Sequence, residues 1–83
     1  MNRLGLHARA AARLVRLAGG FSSSIMLFRP DTNAQANAKS ILSVLALSAG
    51  QGTVINIEID GNDESDAMNE ITNLFESGFG EQS

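Results

Sequence analysis

The chain contains one histidine, His7, which lies in the segment GLHARAA, two residues before Arg9. From Ala8 onward the residues have the composition and spacing of a helix, so His7 falls where the first turn begins. Free backbone amides and the positive end of the helix dipole point toward an anion at such a position. Arg9 would add a charge-assisted contact to a phosphate oxygen. A nucleophilic imidazole at an anion-holding helix end is what a covalent phosphohistidine intermediate requires.

Small neighbours favour this chemistry, because the side chains of Ala8, Ala10 and Ala11 should leave the approach to the imidazole open. The alternative is that His7 is a surface residue without a chemical role. Ser40 presents a similar choice, because a serine before an apolar helix usually serves as a structural N-cap whose hydroxyl accepts from the first free backbone amides.

The remaining chain predicts the elements that must position these residues. The first helix should run over Ala8–Ala18 and end at a pair of glycines, Gly19 and Gly20. Its apolar positions recur at three and four residues, namely Ala8, Ala11, Ala12, Val15 and Ala18.

Three stretches favour strands. Residues 21–28 should place Phe21, Ser23, Ile25 and Leu27 on one side, and a turn at residues 29–32 leads to a return strand with Ala34, Ala36 and Ala38 on one face. Residues 53–59 alternate strictly, with Thr53, Ile55, Ile57 and Ile59 inward.

Two further helices complete the pattern. A short helix should follow Ser40, and a longer one should begin at Asp63, whose carboxylate is expected to cap it. Its inward positions should be Ala67, Met68, Ile71, Leu74 and Phe75. The order predicts one domain, residues 1–83, with an α+β fold: an open-faced sandwich of helices on one face of an antiparallel sheet.

Charge and residue composition limit the classes of function that the chain can have. The net charge is −3, but residues 1–30 carry five arginines and no acid, whereas the rest carries one lysine and nine acids. Such asymmetry suits an acidic partner or a phosphate, and without interleaved aromatics it is a weak signal for nucleic acid. The chain has no cysteine, and one histidine cannot build a zinc site. We expect a cytoplasmic protein without membrane insertion, metal or cofactor.

Two motifs carry a resemblance to a known family. LGLHARAAARLV resembles the active-site segment of the HPr family, the histidine-containing phosphocarrier proteins of the bacterial sugar phosphotransferase system. NAKSILSVLALSAGQG resembles the regulatory-serine segment of that family, and TVINIEIDGNDESDAMNEI is similar to its last strand and helix. Together the segments cover nearly the whole chain in the right order.

The resemblance implies a role for each matching residue. His7 would accept phosphate through Nδ1 from enzyme I and pass it to an enzyme IIA-type acceptor, with Arg9 beside it. Ser40 would be the target of a serine kinase and its phosphorylase. A partner-docking surface would comprise Ala12 on the first helix and an apolar patch on the short helix, Ile41, Leu42 and Leu45.

The chain departs from the family pattern at two points. Ala10 stands where the family most often has proline, a change that costs little helix propensity. The family also has a further strand before the glycine, and nothing precedes Met1 here that could form it. Either the start codon was assigned too late or the domain lacks that edge. In the second case the strand over residues 53–59 would expose an edge, and we expect lower stability or dimerisation through it.

Two other functions stay open from the sequence. The protein could be a regulatory phosphoprotein that signals nitrogen or carbon status through His7 or Ser40, with no direct role in sugar transport. It could also be a plain interaction module that is never phosphorylated.

Overall fold

The computed structural model describes residues 8–47 and 53–78. Its elements, in chain order, are α1 (Ala8–Ala18), β1 (Ser24–Arg29), β2 (Ala34–Asn37), α2 (Ile41–Ala46), β3 (Asn56–Asp60) and α3 (Glu64–Glu76). Within the described residues the strands form one antiparallel sheet in the order β2-β1-β3. The helices pack on one face of this sheet, so the predicted α+β open-faced sandwich is confirmed.

The sheet register brings apolar residues together beneath the helices. Leu27 of β1 lies opposite Ala36 of β2 on one side and Ile57 of β3 on the other. Ile25 and Leu27 of β1 and Ala36 of β2, each grouped on one face by the sequence pattern, are buried, whereas Ile57 and Ile59 of β3, predicted to face inward, are only half-buried against the core. The large, fully buried side chains around this layer are Leu14, Ile25, Leu27, Val44 and Ile71.

The rotation of α1 differs from the predicted one. The helix buries Ala10, Ala11, Leu14 and Ala18, whereas Ala8 and Ala12, which the spacing grouped with the apolar positions, are exposed. Alanines occur on every side of this helix, so their spacing could not define the face. Leu14 defines it instead, because its side chain removes far more apolar area from water than a methyl group.

Two strands begin later than the sequence pattern indicated. β1 starts at Ser24 rather than Phe21, because the amides of Ser22 and Ser23 are occupied by hydrogen bonds outside the sheet. β3 starts at Asn56 rather than at residue 53. Its last partner is Phe28, and the chain of β1 then turns at Pro30, which has no amide to donate to a ladder.

Asp63 does not cap α3 with its side chain, which corrects the predicted cap. Its carboxylate instead accepts hydrogen bonds from the Ser22 amide at 2.8 Å, from the Ser23 amide at 3.0 Å and from the Ser23 hydroxyl. These bonds tie the segment after α1 to the start of α3. Gly61 completes the junction, since a Cβ there would lie 2.6 Å from the Cα of Ser23.

Met68 of α3 was also expected to face inward, but it is exposed. Ala67 and Ile71 supply the buried face of α3, with Leu74 and Phe75 half-buried beside them. The error arose because Met68 adjoins the buried Ala67 at the edge of the stripe, where periodicity does not define the limit of burial.

The hydrogen bonds to Asp63 should make stability depend on pH at low pH. The Ser23 hydroxyl and the Ser22 and Ser23 amides lower the pKa of Asp63 from 3.8 to about 2. A carboxyl whose pKa is lower in the folded state stabilises the fold above its unfolded pKa. This contribution is present above about pH 4 and is lost as the pH falls toward about 2.

Asp63→Asn should therefore be less stable than the wild type at pH 7, and the difference should shrink between pH 4 and pH 2, the range set by the pKa values of about 2 and 3.8. Urea unfolding followed by circular dichroism measures this, since the chain has neither tryptophan nor tyrosine. Glu70→Gln, on the exposed face of α3, is the matched control and should keep the wild-type pH dependence. Parallel stability curves for Asp63→Asn and the wild type would contradict the assignment.

Candidate functional site

His7 lies outside the described residues, so the structure defines the site from the residue that follows it. α1 begins at Ala8, as predicted, and Ala8 and Arg9 are both exposed. Within the described residues α1 therefore runs from the residue that follows His7 in the sequence.

The expected open approach to the imidazole concerns His7 and lies outside the described residues. Of its small neighbours, Ala8 is exposed, whereas Ala10 and Ala11 are fully buried and belong to the core. The exposed positions of α1 that follow Ala8 are Arg9, Ala12, Arg13 and Arg16.

Ser40 occupies the predicted N-cap of α2. Its backbone is extended, with φ −117° and ψ 117°, and its hydroxyl accepts from the Ser43 amide at 3.3 Å. A serine in this geometry satisfies one of the free donors of the first turn. The structural role considered for Ser40 is therefore present.

Side chains from neighbouring segments hold α2 at both ends. The Ser43 hydroxyl accepts from the Asn37 amide at 2.9 Å at the start of the helix. At its end, Arg29 donates from Nη1 to the Leu47 carbonyl at 3.0 Å and from Nε to Asp31 at 2.9 Å. A guanidinium at this position satisfies a carbonyl that the short helix leaves unpaired.

The apolar patch of α2, Ile41, Leu42 and Leu45, lies on the surface. Leu42 is 76% exposed, and Ile41 and Leu45 are 37% and 36% exposed. Val44 and Leu47 alone anchor this segment in the core. The expected exposure of the patch is confirmed. Contiguous exposed apolar side chains on a small protein mark an interaction surface more often than solitary ones do.

Two arginines border a groove that sequence reasoning did not identify. Arg13 and Arg16 line it together with Leu17, Gly20, Phe21 and Leu74, and its volume is about 440 Å³. Among the residues that the structure describes, no acidic side chain lines the groove. The helix pattern placed the arginines on a polar face, but it gave no signal that α3 would supply Leu74 beside them.

The sequence pattern predicted no contact for Lys39, which counted only toward the charge distribution. In the structure it makes a specific contact. Its ammonium donates to the Phe21 carbonyl at 2.6 Å, although the two residues are 18 positions apart. Its own amide donates to the Asn37 side chain at 2.9 Å. Lys39 therefore connects the start of α2 to the segment between α1 and β1.

The described residues contain no group of three or more potential metal-binding side chains. Among the same residues, no helix combines the length and apolar character that crossing a bilayer requires.

The described residues form an α+β open-faced sandwich whose short second helix presents an apolar patch, and in the sequence the one histidine directly precedes Ala8 of α1. The chain belongs to the HPr family. The family model described as the PTS HPr component phosphorylation site matches residues 1–77. The protein is therefore a phosphoryl carrier of the phosphotransferase system rather than an enzyme.

Curated relatives cover nearly the whole chain. It is 46% identical over 81 residues to the phosphocarrier protein HPr of Cupriavidus necator, an alignment that covers 98% of this chain and 89% of the relative. It is also 45% identical over 80 residues to the phosphocarrier protein NPr of Proteus mirabilis, which covers 96% of this chain and 88% of that relative.

Solved structures agree with the fold. A crystal structure of HPr-C-His from Thermoanaerobacter tengcongensis matches with a TM-score of 0.91 at 41% identity, covering 99% of this chain and 90% of the other. A crystal structure of an HPr dimer from the same organism matches with a TM-score of 0.83 at 42% identity, covering 98% of this chain and 91% of the other.

Proposed function

We propose that His7 is the phosphoryl acceptor of this carrier, working in the cytoplasm between enzyme I and an enzyme IIA-type acceptor. The observation that carries the proposal is the match of the phosphorylation-site family model to residues 1–77, in a chain with one histidine. The position of α1, which follows His7 in the sequence, supports it, because the N-terminal end of a helix favours an anion.

The transfer needs a nitrogen lone pair. Neutral His7, with its proton on Nε2, attacks the phosphorus atom carried by enzyme I, and the Nδ1–P bond forms as the bond to enzyme I breaks. The reverse exchange delivers the group to the acceptor and restores the neutral ring. Arg9, exposed in the first turn of α1, stabilises the charge on the phosphoryl oxygens.

His7→Ala should abolish labelling of this protein. Supplied with enzyme I and labelled phosphoenolpyruvate, the wild type should acquire an acid-labile label and the variant none, because no other histidine is present. Ser40→Ala is the control and should label normally. A label that persists in His7→Ala would exclude the assigned acceptor, and no label in the wild type would favour the plain interaction module.

We assign partner docking to Ala12 and the apolar patch Ile41, Leu42 and Leu45. All four side chains are exposed. Hydrogen bonds at both ends of α2 fix the orientation of the helix and therefore of the patch. Exposed arginines on α1 would form a charged rim to this apolar surface, an arrangement that suits a transient interface.

Leu42→Ser should weaken docking without unfolding the protein, because Leu42 is 76% exposed. Truncation of an apolar interface anchor costs about 1–2 kcal/mol, so the KM of enzyme I for the carrier should rise about tenfold. Val54→Ser is the matched control, since Val54 is 64% exposed and lies before β3, and its KM should stay at the wild-type value. Equal KM values for both variants would contradict the docking assignment.

We also assign Ser40 as a regulatory phosphorylation site. A phosphoserine carries a charge of about −1.5 to −2 at pH 7, and Ser40 directly precedes the apolar patch. This charge would lie within the docking surface, so the modification should weaken docking with enzyme I rather than unfold α2.

Incubation with a serine kinase and ATP should place an acid-stable phosphate on the wild type and on Ser43→Ala, but not on Ser40→Ala. Ser43 is the appropriate control because it lies within the same helix and shares a hydrogen bond with Ser40. Mass spectrometry after acid treatment locates the phosphate. An acid-stable adduct on Ser40→Ala would refute the site.

A regulatory branch is the second candidate function, and the similarity to NPr at 45% identity favours keeping it. In that case the phosphate on His7 would signal nitrogen or carbon status and would not enter sugar transport. Identifying which acceptor removes phosphate from the charged protein separates the two functions.

We further propose that the protein associates with a second copy through the outer edge of β3. Within the described residues β3 pairs only with β1, and the inward isoleucines of β3 are only half-buried, whereas Ile25 and Leu27 of β1 are fully buried. An edge strand with open backbone groups is a template for pairing with another chain.

Light scattering should show a dimer for the wild type, and Asn56→Lys should shift it toward the monomer. Asn56 is exposed at the start of β3, and a lysine on an edge strand disfavours pairing of this kind. A monodisperse wild-type monomer with ordinary thermal stability would refute the edge-pairing proposal.

A further inference from the structure

Lys39 makes the single side-chain contact that links the start of α2 to the Phe21 carbonyl, at 2.6 Å and partly shielded from solvent. Its partner there is a neutral carbonyl. No carboxylate pairs with Lys39 among the residues that the structure describes. It is also the only lysine of the chain and the only basic residue after Pro30.

Ser40 follows Lys39 directly, and adjacent Cα atoms lie about 3.8 Å apart. A move of the Lys39 ammonium to a phosphate on Ser40 would require rotamer changes along its four-carbon side chain. Arg29, at the far end of α2, already binds the Leu47 carbonyl and Asp31. Lys39 precedes Ser40 directly and its ammonium binds a neutral carbonyl, so it is a cation placed to respond to a charge at Ser40.

A phosphate is a much stronger acceptor for an ammonium than a neutral backbone carbonyl, because both partners are charged. We propose that Lys39 is the phosphate partner of Ser40, and that phosphorylation moves its ammonium from the Phe21 carbonyl to the phosphate. This inference rests on the proposed modification of Ser40. The covalent step transfers the γ-phosphoryl group of ATP to the Ser40 oxygen, with ADP as the leaving group and the hydroxyl proton released.

The exchange would carry the modification beyond α2. Phe21 lines the groove that Arg13 and Arg16 border, so loss of the Lys39 contact frees one backbone carbonyl on the α1 side of the molecule. The next two residues stay in place, because their amides are held by Asp63. The change is therefore local to the Phe21 carbonyl.

The test uses full-length protein with phosphoserine incorporated at position 40 during translation, so the outcome is independent of any kinase. When Ser40 of the wild type is phosphorylated, the ¹³C chemical shift of the Phe21 carbonyl should move toward the value found in unphosphorylated Lys39→Met. In Lys39→Met itself, phosphorylation of Ser40 should leave this chemical shift unchanged. The second pKa of the phosphate, ordinarily about 6, should be lower in the wild type than in Lys39→Met when followed by ³¹P NMR.

Either of two results overturns the inference: a Phe21 carbonyl resonance that does not respond to the phosphate, or equal phosphate pKa values with and without Lys39. Comparing the phosphate pKa in the wild type and in Lys39→Met separates a direct contact from a purely structural role of Lys39. A structural role would leave the phosphate pKa unchanged. Failure of the kinase to label Ser40 would instead refute the proposed modification and leave both of these measurements possible.

Discussion

The packing of α1 against α2 and α3 in the core determines which of its residues face solvent. Ala10, Ala11, Leu14 and Ala18 form the buried stripe, and a helix rotated by one position would bury a different set. Because this stripe is fixed, Arg9, Ala12 and two further arginines face solvent on the opposite side. The core thereby sets the orientation of the functional face, while the residues on that face contribute little to the core.

The α2 helix shows how neighbouring segments stabilise a very short helix. Six residues are too few for a stable isolated helix. The hydroxyl of Ser40 and the guanidinium of Arg29 satisfy backbone groups at its two ends, and Val44 and Leu47 bury its inner side. Local polar contacts thus supply order that a longer helix would obtain from its own hydrogen bonds. The outer side remains available for recognition.

Sequence patterns predicted much of the architecture, and the failures have identifiable causes. The alternation in β3 and the cap at Ser40 were predictable because both depend on neighbouring residues. The rotation of α1 was not, since alanines surround it. The partners of Asp63 and Lys39 lie 40 and 18 positions away, beyond the range of local pattern. The same limit explains why the patch, defined by local resemblance, was found and the groove, built by two helices, was missed.

The exposed leucine at position 42 has a consequence for how such carriers diverge. Its neighbours Val44 and Leu47 hold α2 in the core, whereas the side chain of Leu42 contacts mainly water. If Leu42 docks partners as proposed, a substitution there would change what the protein binds at almost no thermodynamic cost to folding. Paralogues could therefore acquire different binding partners through a few surface substitutions while they keep the same fold.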